Sequence, residues 1–139
     1  MRPGTAAHYE GTSGAMAMES PAPGVVLITI EGHDIGEFGS EPMRWLEGHL
    51  SSARPVELYI DARRTRGVSM GVSSEWALWL QENRASFGHI SMLPGSRFIE
   101  ITAEFVRRFS GLDGVMRIYT DGPAFDEALA SSIAGAAAR

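Results

Sequence analysis

The sequence predicts an α/β fold: a mixed, mainly parallel four- to five-stranded sheet with an antiparallel N-terminal hairpin edge and about four helices. Three observations carry this. Short apolar runs rich in β-branched residues, Val25–Ile30 (VVLITI) above all, read as strands. Between them lie longer segments whose apolar residues recur at steps of three and four. Strands separated by helices need crossover connections, and crossovers make neighbouring strands parallel.

Taken in order, residues 1–14 are small and polar and read as a flexible tail. Ala15–Glu19 reads as an edge strand, and the Pro- and Gly-containing turn Ser20–Gly24 returns the chain into Val25–Ile30. Glu31–Gly39 reads as a solvated loop. Its His33 and Asp34 are adjacent, and adjacent loop positions rarely converge on one atom. Ser40 and Pro42 open a helix over residues 40–53 with Met43, Leu46 and Leu50 on one face, and Arg54-Pro55 ends it.

Val56–Asp61 alternates as a strand, and Ala62–Val72 reads as an Arg- and Gly-rich turn. Ser73 or Ser74 then caps a helix carrying Trp76, Trp79 and Leu80. Three positions apart, the two tryptophans diverge by about 60°, which places one at a boundary. After the helix stop Gly88 come a strand at His89–Leu93 and a helix at Arg97–Ser110, with Phe98, Ile101, Phe105 and Phe109 as its core stripe. Val115–Thr120 is the last strand, and Asp121 caps a last helix at Pro123–Ile133 that carries Phe125 and Leu129. One domain over 15–134 with a frayed tail at 135–139 follows.

The net charge of −5, with no basic stripe, argues against a nucleic-acid partner. All twelve cations are arginines, the usage of a GC-rich genome. The absence of cysteine excludes disulfides, thiolate nucleophiles and Cys-ligated metals. No apolar run approaches a membrane span, and no leader pattern opens the chain, so the expectation is a cytoplasmic protein without membrane attachment.

The functional stretch is residues 55–80. In open α/β sheets, the loop from a strand's carboxyl end to a helix N-terminus is where ligands and partners are met. That loop concentrates Arg63, Arg64, Arg66, Ser69 and Met70 after Asp61. No GxSxG elbow, phosphate-binding loop or metal spacing accompanies them, so the expectation is no catalysis, no cofactor and no metal.

The order of elements, with VVLITIEG, LYIDARRTRGVSMG, SSEWALWL and MRIYTDGPAFDEAL, resembles the STAS domain, in particular its SpoIIAA-like branch, over residues 15–133. The resemblance implies a non-catalytic module that meets protein partners such as anti-sigma-type kinases. It also implies a phosphate acceptor in the turn after Asp61. The acceptor position holds Met70 and the acidic position Val68, which leaves Ser69 and Ser73 as the candidate phosphorylation sites.

Two functions are thus expected. The first is a protein-binding face at residues 61–80, where Arg, Met and Trp are concentrated. The second is a small-molecule site: an apolar pocket between the second and third helices lined by Met70, Trp79, Met92 and Phe98, or an anion site of Arg63, Arg64 and Arg66 at the N-terminus of the second helix. A homodimer through the hairpin edge, or capping of that edge by the N-terminal tail, is expected as well.

Overall fold

The structure, a computed structural model, describes residues 5–50 and 55–138. The elements are β1 (Ala6–Glu10), β2 (Gly14–Ala22), β3 (Val25–Asp34), α1 (Glu41–Glu47), β4 (Val56–Val68), α2 (Met70–Glu82), β5 (Phe87–Pro94), α3 (Arg97–Phe109), β6 (Met116–Ile118) and α4 (Gly122–Ala137). The six strands form one sheet in chain order. β1, β2 and β3 pair antiparallel, and β3 through β6 pair parallel.

The alternation of side chains separates two cores. Met16, Val26, Ile28, Leu58, Ile60 and Ile90 face α1, α2 and α3, which contribute Leu46, Ala77, Leu80, Ala103 and Val106. On the other face Val25, Tyr59, Leu93 and Tyr119 pack against Phe125 and Ala136 of α4. Phe125 meets Tyr59 and Tyr119 edge-on, each at 5.7 Å between ring centres. The Tyr59 hydroxyl reaches the Ala128 carbonyl and Ser132 Oγ, which fixes α4 across the sheet.

Several expectations are corrected. The N-terminal tail is a strand where it is described: residues 6–10 pair with β2 and raise the strand count to six. Tyr9 packs against Phe38 at 6.1 Å, and that apolar contact orders the segment. The first helix is one short segment, Glu41–Glu47, while residues 51–54, and with them the expected helix end, lie outside the described residues. The tail beyond Ala134 is helical to Ala137, with Ala136 buried against the sheet.

Most of the expected turn 62–72 is strand. β4 runs on to Val68 because β3 also runs on, to Asp34, and offers it a parallel partner. Thr65 donates from Oγ1 to the Ile30 carbonyl at 2.9 Å, tying the polar extension down. Where the β3–β4 register shifts, Gly32 sits at φ +73, and a Cβ there would lie 2.6 Å from the Ser13 carbonyl oxygen. No other residue type fits that position without strain.

The third helix is rotated relative to expectation. Ile99, Ala103 and Val106 face the sheet, whereas Phe98, Ile101, Phe105 and Phe109 are 44% to 59% exposed. Small Ala103 lets α3 come close, and the bulky stripe is left outside. Two substitutions read this rotation. Ile99→Ala is expected to lower unfolding free energy by about 2–5 kcal/mol, and Phe105→Ala to change it by no more than about 0.5 kcal/mol. Urea titration measures both, and the reverse ranking would contradict the assigned face.

Candidate functional site

At the carboxyl ends of β3, β4 and β5, the sheet, α2 and α3 enclose a cavity of about 80 Å³. Its walls are mostly apolar, with Ile30 and Ile60 from the sheet floor, Met92 from β5, Trp76 from α2 and Val106 from α3, and its polar border residues are Asp34, Ser73 and Thr102. A second pocket of about 30 Å³ lies beside it, between α2 and the loop that leads into α1, bordered by Phe38, Met43 and Glu75. Asp34, Val72 and Trp76 border both.

Asp34 is the last residue of β3 and is only 5% exposed. Its carbonyl accepts the Ser69 N–H at 3.0 Å, and its Oδ1 accepts the Gly36 N–H at 3.2 Å. Ser69 is the N-cap of α2, its Oγ accepting from Val72 N at 3.2 Å. One short path of hydrogen bonds thus joins the end of β3 to the start of α2. Burial pushes the Asp34 carboxyl above its usual range; the Gly36 N–H opposes this, and Glu75 and Glu37 reinforce it. Glu37 is itself held. Its carboxylate accepts from Thr12 N and Thr12 Oγ1, each at 2.8 Å, and from Ser13 N at 3.1 Å, which locks the β1–β2 turn to the loop carrying Phe38.

The expected site residues are dispersed. Asp61 and Arg63 lie on the α4 face, where Arg63 bridges Asp61 (2.9 Å) and Asp126 (2.8 Å) and serves to clamp α4. Burial raises the Asp61 carboxyl, but the hydrogen bonds from Arg63 outweigh it and hold the group below its usual value. Arg64 pairs with Glu31 at 3.1 Å. Arg64 and Arg66 line an open polar groove with Gly95 and Ser96, so the helix N-terminus beside them is that of α3, not α2.

Met70 is 83% exposed at the start of α2. Trp79 is buried and donates from Nε1 to Glu47 at 2.9 Å, outside the cavity, while Trp76 is the boundary tryptophan and the one that lines it. Of the four expected pocket residues, Met70, Trp79, Met92 and Phe98, only Met92 borders the cavity. Ser73, expected as an alternative cap and as a phosphorylation site, is buried at the cavity wall and donates to the Met70 carbonyl at 3.0 Å, out of reach of a modifying enzyme. Ser69 is half-buried, its oxygen engaged in the cap.

The sequence reading set Asp34 aside with His33 in a loop. The two point to opposite sides of a strand: His33 is exposed and Asp34 buried. Continuing the alternation Val26, Ile28, Ile30 through Gly32 places Asp34 on the same face and would have found it.

The sign of the Asp34 effect on stability follows from burial. A carboxyl whose folded value lies above its unfolded one stabilises the fold in acid, and that contribution is lost as pH rises through the folded value. Asp34→Asn is therefore expected to raise Tm near neutral pH, with the gain shrinking toward about pH 4, the ordinary aspartate range. Thermal melts at the two pH values measure it, and a lower Tm at neutral pH would contradict the assigned burial cost.

No protein-family model matches the sequence, and no curated protein is significantly similar to it. Among solved structures the chain resembles an uncharacterized protein of the DUF3478 family with a SpoIIAA-like fold from Shewanella loihica PV-4. The match has a TM-score of 0.59 at 13% identity and covers 89% of this chain and 91% of the other. Together with the mixed six-stranded sheet and the four helices, this shows that the chain has a SpoIIAA-like fold.

Proposed function

We propose that this chain is a non-catalytic binding module that takes a small, largely apolar molecule between the sheet and the α2–α3 pair. The observation that carries the reading is the cavity itself, a space with apolar walls at the carboxyl ends of parallel strands, where open α/β sheets receive ligands. Its volume of about 80 Å³ is roughly half that of an apolar cavity able to hold benzene. It therefore suits a short aliphatic body, and anything larger requires α2 and α3 to part.

A second reading, a protein partner such as an anti-sigma-type kinase, is favoured by one observation. Phe98, Ile101, Phe105 and Phe109 of α3, Leu78 of α2 and Met70 at its start are all exposed. Phe105 and Phe109 lie side by side with ring centres 5.6 Å apart, and exposed apolar side chains gathered in this way mark interaction faces. This moves the expected partner face from residues 61–80 toward α3.

Filling the cavity separates the two readings. Val106→Phe places added carbons in the space at an overpacking cost of about 1–3 kcal/mol. It is expected to abolish binding of straight-chain alcohols, read by tryptophan fluorescence, while Phe105→Glu leaves that binding intact. Undiminished alcohol binding in Val106→Phe would sink the cavity reading.

A further inference from the structure

We propose that the ligand of this cleft carries an ammonium head, held between the Asp34 carboxylate and the Trp76 ring, on a short aliphatic body that fills the larger cavity. The inference rests on the cavity reading above and assigns the chemical class of what enters. Four observations lead to it.

First, the two pockets differ in kind and share a wall. The larger is apolar, whereas the smaller, of about 30 Å³, has room for a single small polar group and is bordered by two carboxylates, Asp34 and Glu75. Asp34, Val72 and Trp76 border both, so a body in the larger cavity has the Asp34 carboxylate and the Trp76 ring within its own walls.

Second, Asp34 is more than nine-tenths buried. A carboxylate offers about four lone-pair sites. Among the described residues, Oδ1 accepts one N–H, that of Gly36. A buried carboxylate with so little hydrogen bonding is poorly compensated, and a cation donating to it removes that deficit.

Third, the charge at the site has one sign. Asp34, Glu75 and the nearby Glu37 are acidic, and no Arg or His borders either pocket among the described residues. An anionic head would meet repulsion there, and a neutral hydroxyl would leave the carboxylates uncompensated. The arginines lie elsewhere, with Arg63 engaged on the α4 face and Arg64 paired with Glu31.

Fourth, apart from its carboxylates, two aromatic rings stand among the otherwise aliphatic walls of the small pocket. Trp76 and Phe38 both border it, and aromatic faces attract ammonium groups. No group of three acidic or histidine side chains able to hold a metal ion exists among the described residues, so the donor set suits an organic cation better than a metal.

The test compares n-propylamine, 1-propanol and propanoate, matched in body, on the full chain near neutral pH. Backbone amide shifts of Val72 and Ser73 provide the readout. Propylamine is expected to bind about tenfold more tightly than propanol, and propanoate more weakly than either. Asp34→Asn is expected to erase the amine's advantage while changing propanol affinity by no more than about twofold. Trp76→Leu keeps an apolar wall and is expected to weaken propylamine about threefold more than it weakens propanol. Equal affinity for amine and alcohol in the unaltered protein, or an amine preference that survives Asp34→Asn, would overturn the ammonium assignment and leave the cavity reading standing. Absence of shifts with all three probes would overturn both.

Discussion

The cleft depends on how α2 is fastened to α3. Ser110, fully buried at the end of α3, donates from Oγ to the Ala77 carbonyl of α2 at 2.7 Å. A buried hydrogen bond of this kind contributes about 0.5–1.5 kcal/mol net. Ala77 and Ala103 are both buried, and their small side chains let the helices approach the sheet closely. Val72, Ser73 and Trp76 precede Ala77, and Thr102, Ala103 and Val106 precede Ser110; these residues wall the cavity. The helix pair is thus fixed at one level and surrounds open space at another.

The two faces of the sheet divide the chemistry. On the α4 face, Arg63 bridges two aspartates, and Tyr59 and Phe125 lock the helix down by hydrogen bonds and edge-on ring contacts. That side is built for rigidity. Exposed ion pairs contribute little energy individually, typically up to about 1 kcal/mol, so the ring packing holds more of α4 than the arginine does. The other face keeps its acids near the cleft, and one of them, Asp34, is buried against its electrostatic preference. Burying such a group gives up some stability at that point.

Much of the architecture was legible. The β-branched run at Val25–Ile30, the alternation at Val56–Asp61, the glycines and prolines between elements and the helical stripe of Phe125, Leu129 and Ile133 led to the observed order of strands and helices from Gly14 onward. The α3 face was not legible, because that helix carries two apolar stripes and periodicity is blind to which one meets the sheet. The decision lies in the tertiary need for a small residue, Ala103, at the point of closest approach. The β4 extension was hidden for a related reason. TRGV reads as a turn by composition, and becomes strand only because β3 runs alongside it. The same extension carries Asp34 out of its expected loop and into the cleft, so the principal residue of the proposed site was concealed by a long-range pairing. The arginine cluster was conspicuous by contrast, yet its members serve α4, β3 and an open groove.

The central claim is that the space beneath α2 and α3 is dry and apolar. A crystal pressurised with xenon tests this most directly, since dry apolar cavities take up xenon and polar hydrated ones hold water. The account predicts a xenon atom bounded by Ile60, Trp76, Met92 and Val106, with α2 and α3 in place. Ordered waters in that volume, or side chains collapsed through it so that xenon finds no room, would contradict it.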